Sequence, residues 1–467
     1  MTPKTAPSDL AYRIAERIKT EPPWEVAAER STRYEVHLQG TTVELERGPI
    51  TVEGYGVRLF RPRGDRIGTG FVASTDLSPK GVEAAVHEAE TTSHHAEFPA
   101  RSVELPSQAA SGAEVAIVDP KLWADPARAV REYAEALLRP FDKKKGVVPS
   151  FGSVKATLSE LTIANSSGLK VGYPSTRADL EFAVKAFGGP EGAPPGEFWA
   201  TESLRRLQPE TAAASVEAWC RYAADVRRAS PPPSGSQAVL LPPDVLSGII
   251  LPVLGFRFTG AARLRKIAPE VGSALAAEAV TIRDEGDYPW SPGSQPYDGE
   301  GTAVRKRPVI ERGKVSELLY DSLYAAAFST RSTGNGVRRS RGPTELLGFA
   351  HPPSPGPTTL VIAPGSGGSV DELAETARDG VIVTQFGWAR PDPISGTFGG
   401  EIRIGYRIRG GKVAEPVRGG TVGGTVLAPP GSPSLLADVK AIGSRASLAE
   451  ELVSPPLLVR PLTVAGA

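Results

Sequence analysis

The sequence predicts an α+β protein of two domains, an N-terminal α+β domain and a C-terminal domain of mostly antiparallel β structure. Three observations carry this expectation. Near the N-terminus apolar residues recur every four positions and then every two, the periods of a helix and of a strand. The stretch Ser230-Pro231-Pro232-Pro233-Ser234-Gly235-Ser236 has the stiff, extended composition of a linker. Beyond it, short apolar runs alternate with glycine turns. The domains are placed at residues 1–230 and 237–467, joined by 231–236.

Ser8 or Asp9 is expected to cap a first helix with Leu10, Ile14 and Ile18 on one face. From Arg33 the period becomes two, with Tyr34, Val36 and Leu38 on one side and Arg33, Glu35 and His37 on the other. Strands at 42–46, 50–60 and 67–73, broken at Gly40, at Gly48 and at a turn over 62–65, continue an antiparallel meander. Ser78-Pro79 and Asp125-Pro126 are helix starts, because proline at the first helical position gives up only an N–H that has no partner there. Their buried stripes are Val82, Ala85, Val86 and Ala89, then Ala129, Tyr133 and Leu137. Alternating segments follow over 153–187, and then a helix over 210–228 carrying Val216, Trp219 and Tyr222. The second half shows one helix, capped by Ser369, closed into a capping box by Glu372 and ended by Gly380.

Composition narrows the function. The chain has 53 basic and 53 acidic side chains, so it lacks the positive surplus that drives nonspecific binding to DNA or anionic membranes. Neither nucleic acid nor membrane is an expected partner. Cys220, the sole cysteine, excludes an internal disulfide and a multi-cysteine zinc site. No basic and apolar leader opens the sequence, and the longest apolar run, 248–256, is too short to span a bilayer. A soluble cytoplasmic protein is expected.

Familiar catalytic patterns fail one by one. His87, His94 and His95 invite a metal reading, but a zincin helix needs its second histidine four residues after the first, where Thr91 stands. They lie opposite the Val82/Val86 stripe, as a solvated face would. No Gly-x-Ser-x-Gly elbow occurs; His37 and His351 are expected at the surface and Cys220 as a buried small hydrophobe. The capping box at Ser369 accounts for Gly365-Ser366-Gly367-Gly368 without a phosphate. Asp284-Glu285-Gly286-Asp287 and Asp298-Gly299-Glu300-Gly301 lack calcium-loop spacing and read as turns. Arg338, Arg339 and Arg341, and Lys143 to Lys145, have no interleaved aromatics and read as solvated loops.

A more specific pattern runs through Tyr297-Asp298-Gly299-Glu300-Gly301-Thr302, Val309-Ile310-Glu311-Arg312-Gly313-Lys314-Val315, Leu319-Tyr320-Asp321 and Ser332-Thr333-Gly334-Asn335-Gly336. Further blocks are 163–168, 394–398, 419–424 and the ending 456–466. Together they resemble the TldD/PmbA family, metallopeptidase-related proteins also called modulators of DNA gyrase. The resemblance implies two domains and dimers enclosing a proteolytic chamber in which extended peptides are cut at a metal. In the family's catalytic type, TldD, a His-Glu-x-x-x-His helix early in the second domain and a cysteine near the C-terminus hold that metal.

The matching segments here are Leu251-Pro252-Val253-Leu254-Gly255-Phe256 and Ile442-Gly443-Ser444-Arg445, with no ligand, base or sulfur. The chain therefore resembles the PmbA (TldE) type. That likeness implies a noncatalytic subunit with no catalytic residue and no cofactor of its own, partnered in a heterodimer or larger oligomer by a TldD-like subunit that carries zinc. By resemblance, Asp298, Glu300, Gly301, Thr333, Gly334 and Asn335 are the expected contacts to an extended peptide substrate, the chamber or the dimer partner. A Thr-Gly-Asn-Gly run suits pairing with an extended main chain, and equally suits a glycine turn that holds the β domain together. Two rival readings remain: a regulatory or structural binding protein, such as a gyrase-modulator-like homodimer, and an autonomous hydrolase with a noncanonical metal site at Asp284, Asp287, Asp298 and Glu300.

Overall fold

The computed structural model describes residues 9–21, 23–107, 112–188, 194–338 and 348–466. The first half runs α1 (Leu10–Ala15), β1 (Trp24–Gln39), β2 (Thr42–Arg63), β3 (Arg66–Ser74), α2 (Pro79–Ser93), β4 (Glu97–Phe98), α3 (Pro120–Ala124), α4 (Pro126–Leu138), β5 (Val147–Asn165), β6 (Lys170–Ala186), β7 (Gly196–Leu204) and α5 (Pro209–Val226). Its strands form one antiparallel sheet in the order β4-β3-β2-β1-β5-β6-β7. Ser78 and Asp125 cap α2 and α4 by accepting from the amides of Gly81 and Arg128, with proline just behind each.

Alternation along β1 sorts the sheet into two faces. Val26 and Ala28 pack with Leu10, Ile14, Val82 and Ala85 of α1 and α2. Val36 and Leu38, on the same face, pack with Tyr133 and Leu137 of α4 and with Val216 and Trp219 of α5. The helices thus cover one face side by side. Glu25, Ala27 and Glu29 point to the other, which meets the C-terminal half.

Several local expectations need correction. Ser8 lies outside the described residues, and Asp9 sits at the α1 cap position without a side-chain cap hydrogen bond. Gly48 does not break the meander, since β2 runs through it with a register shift opposite Arg33 and Glu35. β1 starts at Trp24 rather than Arg33, because buried Glu25 and Glu29 interrupt the apolar pattern that marks a strand.

The second half contains β8 (Gly235–Leu241), α6 (Pro243–Arg257), α7 (Gly260–Leu264), β9 (Ile282–Glu285), β10 (Lys306–Glu311), β11 (Lys314–Val315), α8 (Ser322–Ala327), β12 (Gly336–Val337), β13 (Ser354–Pro355), β14 (Leu360–Ile362), α9 (Val370–Ala377), β15 (Gly380–Ala389), β16 (Thr397–Arg409), β17 (Lys412–Val417), β18 (Thr421–Thr425), β19 (Val439–Ile442), β20 (Ser447–Ala449), β21 (Leu452–Ser454) and β22 (Leu457–Ala465). One sheet has the order β11-β10-β9-β14-β21-β20. Another runs β15-β8-β22-β18-β16-β17, with β19 beside β22, and pairing of β15 with β16 closes it on itself. A separate two-stranded pair joins β12 to β13. Most pairings are antiparallel; β8 with β15 and β14 with β21 are parallel.

Leu246, Ile249, Ile250 and Val253 of α6 pack with Val239 of β8, Ile282 of β9, Ile310 of β10 and Val381 of β15 in the largest core cluster. The sequence expectation of a single helix in this half missed α6, which is apolar almost all round and so shows no clear stripe. The capping box of α9 is present, but Arg378, at φ 65°, ends the helix and Gly380 opens β15. The proline-rich stretch is docked rather than free. Ser230 bridges to Val417, Ser234 Oγ accepts from the Gly466 amide at 2.8 Å, and β8 already begins at Gly235.

Candidate functional site

A buried charge cluster lies where the helix-free face of the first sheet meets the C-terminal half. The register of β1 and β2 sets Glu25 directly across from Arg58, and Arg58 Nη2 donates to Glu25 Oε2 at 3.0 Å. The same nitrogen donates to Glu300 Oε1 at 2.5 Å. From the C-terminal side Arg338 donates through Nη2 to Glu25 Oε1 at 2.6 Å, through Nε to Gly299 O at 2.7 Å and through Nη1 to His351 O at 2.8 Å. The four side chains are at most 4% exposed. Each half contributes one acid and one base: Arg58 pairs with Glu25 within the first half, and the Arg58–Glu300 and Arg338–Glu25 contacts cross between the halves. Glu300 Oε2 then accepts from the amide and hydroxyl of Ser322, both at 2.7 Å, at the start of α8.

Asp298 shapes the loop that delivers Glu300. Its Oδ1 accepts from the Glu300 and Thr302 amides and its Oδ2 from the Gly336 amide, each at 2.9 Å. Gly301 has φ +86°, a conformation that favours glycine, and a Cβ there would stand 2.3 Å from Leu169 Cδ2, which would have to move. Alongside, Asp284 Oδ1 accepts from the Thr358 and Thr359 amides at 2.7 and 3.0 Å, while Oδ2 accepts from Asn335 Nδ2 at 2.5 Å. Thr333 Oγ1 donates to Asn335 Oδ1 at 2.7 Å and accepts from the Tyr320 amide at 2.8 Å.

The structure therefore gathers all six residues that the sequence singled out. The side chains of Asp298, Glu300, Thr333 and Asn335 are buried and engaged within the chain. Three of the four amides of the glycine run are also occupied: Thr333 N donates to Tyr320 O, Gly334 N to Ser332 Oγ and Gly336 N to Asp298. The geometry fits a turn that holds the β half together.

Burial pushes the carboxyls of Glu25, Glu29, Asp284 and Asp321 upward. Asp298 rises to about 8, through burial first and the neighbouring Glu300 second. Burial opposes the charge on Arg58, but Glu25 and Glu300 outweigh it and hold the guanidinium above its ordinary value. At Arg338 burial wins and the shift is downward.

Of the four acids of the metal reading, Asp284, Asp298 and Glu300 each accept from different protein donors. Among the described residues no group of three or more His, Cys, Asp or Glu side chains is arranged to hold a metal ion. His87, His94 and His95 are exposed. Cys220 is buried in α5, with its thiol pushed up to about 11 by burial. Arg338 overturns the solvated-loop expectation, since it is buried and ion-paired; Arg339 and Arg341 lie outside the described residues. The Asp284 turn expectation is corrected too, because Asp284 and Glu285 close strand β9. Sequence reasoning missed Glu25, Glu29, Arg58 and Arg338. A partial signal existed in the run Trp24-Glu25-Val26-Ala27-Ala28-Glu29, where two acids punctuate an apolar stretch.

Two neighbouring grooves flank the cluster, of about 1210 and 550 Å³, sharing Pro106, Thr302, Thr330, Arg331 and Ser332 in their walls. Ser322 lines the larger and Thr333 the smaller.

Residues 234–466 match the model of the PmbA/TldA metallopeptidase C-terminal domain. The chain belongs to the TldD/PmbA family. A Metalloprotease TldD homolog from Buchnera aphidicola is 29% identical over 157 residues, which is 34% of this chain and 31% of that protein. A metalloprotease from Methanothermobacter thermautotrophicus is 26% identical over 297 residues, covering 60% of this chain and 61% of the other. These matches span less than two thirds of the relatives' own lengths. The fold is shared end to end with TldE from Thermococcus kodakarensis, at TM-score 0.79 and 20% identity, covering 98% of this chain and 99% of the other. It is shared likewise with a proposed modulator of a DNA gyrase from Thermotoga maritima, at TM-score 0.80 and 19% identity, with the same coverage.

Within this TldD/PmbA fold, the segment resembling the family's metal helix lies on α6. Val253 and Leu254 are buried, Leu251, Gly255 and Phe256 half-buried, and Pro252 exposed. None of these side chains carries a nitrogen, oxygen or sulfur donor, so the segment does not fit zinc. In 442–445, the Gly443 and Ser444 amides donate to Pro456 O and Gly368 O, both at 2.9 Å. Ser444 and Arg445 are exposed.

Proposed function

We propose that this chain is a noncatalytic, TldE-like subunit of a TldD/TldE-type metallopeptidase that degrades or processes unfolded peptides in the cytoplasm. A TldD-like partner brings zinc, the activated water and the base, while this chain supplies walls of the chamber. The single observation that carries the reading is α6. The helix stands where the resemblance puts His-Glu-x-x-x-His, yet it offers Leu251, Pro252 and Phe256 in place of two imidazoles and a carboxylate. The charge cluster supports a structural role for the blocks that carry the resemblance, because its ion pairs link the two halves. No helix among the described residues is long and apolar enough to cross a membrane.

Co-expression of this chain with a His-Glu-x-x-x-His homologue from the same genome tests the partnership. Co-elution as one complex, with peptide cleavage that requires both chains, is the expected result. A stable homodimer that ignores the homologue is the result that would favour the regulatory reading.

A further inference from the structure

We infer that the smaller groove is a binding site for acidic segments of a peptide. This deepens the reading above and rests on it for the choice of a peptide as ligand. The charges lining the groove are Arg263, Arg305, Arg307, Arg331 and the lone acid Glu317. Glu317 is already held by Arg307 Nη1 at 2.8 Å. Arg263, Arg305 and Arg331 are exposed, and among the described residues none of them is paired with a carboxylate. A chain with no net charge thus concentrates three uncompensated guanidinium groups in a space of about 550 Å³.

Two of these arginines are placed by the fold. Arg307 donates from Nε to Thr333 O at 2.6 Å, and Arg263 donates to Tyr320 Oη at 2.8 Å while covering the Phe328 ring at 4.3 Å from its centroid. Guanidinium groups held this way lose little freedom when they bind carboxylates, which they match with two parallel hydrogen bonds. The groove shares Thr302, Thr330 and Ser332 with the wall of the larger one, and two grooves side by side suit an extended chain better than a small anion. Single-stranded nucleic acid fits poorly: Tyr320 is buried and the Phe328 face is taken by Arg263, leaving bases no platform to stack on.

The test is fluorescence anisotropy of the purified full chain with a labelled, unstructured Asp/Glu-rich peptide. Comparison ligands are an Asn/Gln peptide of equal length and an oligothymidylate. The acidic peptide should bind at least about tenfold more tightly than the neutral one, with affinity falling as salt rises. Arg305→Glu with Arg331→Glu should abolish that preference, Arg331→Gln should weaken it, and Arg128→Glu on α4 should leave it intact. All substituted residues are exposed, and unchanged thermal unfolding verifies the fold. Equal binding of both peptides, preference for the oligonucleotide, or an acidic preference that survives the double reversal would overturn the inference. Because the chain is measured alone, these outcomes do not depend on whether a catalytic partner exists.

Discussion

Arg338 and Glu25, 313 positions apart in sequence, meet at 2.6 Å in the seam between the N-terminal sheet and the C-terminal half. Arg58 answers from the sheet by reaching Glu300. The exchange makes the seam a place where single substitutions strand a buried charge.

Arg58→Met leaves Glu25 with one partner and Glu300 without an ion pair, and should destabilise the chain by about 3–5 kcal/mol. Adding Glu300→Leu should recover part of that loss, giving a coupling of about 0.5–3 kcal/mol in a double-mutant cycle read by urea unfolding. Purely additive losses would show that the pair is not coupled.

Asp298 gives the seam a pH dependence. Its carboxyl titrates near 8 in the fold, against about 3.9 in an unfolded chain. Between these values the folded state holds a proton that the unfolded state has released, so this group's contribution to stability is complete below pH ~4 and is lost as pH rises through about 8. Urea midpoints should therefore fall from pH 6 to 9 more steeply in the parent than in Asp298→Asn. An equal slope in both proteins would contradict the assignment.

Gly301→Ala places a Cβ at φ +86° and against Leu169, and should cost about 1–3 kcal/mol of stability. If Gly301 instead serves mainly to contact substrate, the melting temperature should hold while activity of the assembled complex falls.

Cys220 should resist alkylation and disulfide reagents in the native chain, because the thiolate is the reactive form and burial raises the thiol to about 11. Modification should become rapid at the urea concentration that unfolds the protein. Fast native labelling would contradict its placement inside α5.

Much of the fold was legible because the helix starts at Ser78 and Asp125 and the alternation through β5 and β6 are local signals, each carried by a few adjacent residues. β1 was shortened because Glu25 and Glu29 face inward, and their burial depends on Arg58, Arg338 and the Gly348 amide far along the chain. α6 was illegible for the opposite reason: its exposed stripe is Asp244, Gly248 and Pro252, so it is apolar almost all round and has no polar face to reveal its period. The turn residues Asp298 and Gly301 were found through their local pattern. Their partners across the seam were not, since nothing in the residues around Arg58 or Arg338 marks them as buried.

The most direct test of the central claim is cleavage of an unfolded peptide by the purified chain alone, by its His-Glu-x-x-x-His homologue alone and by the two mixed, with zinc measured in each. The noncatalytic-subunit account predicts no cleavage and substoichiometric zinc for this chain, and cleavage by the zinc-bearing mixture. Stoichiometric metal with cleavage by this chain alone would contradict it.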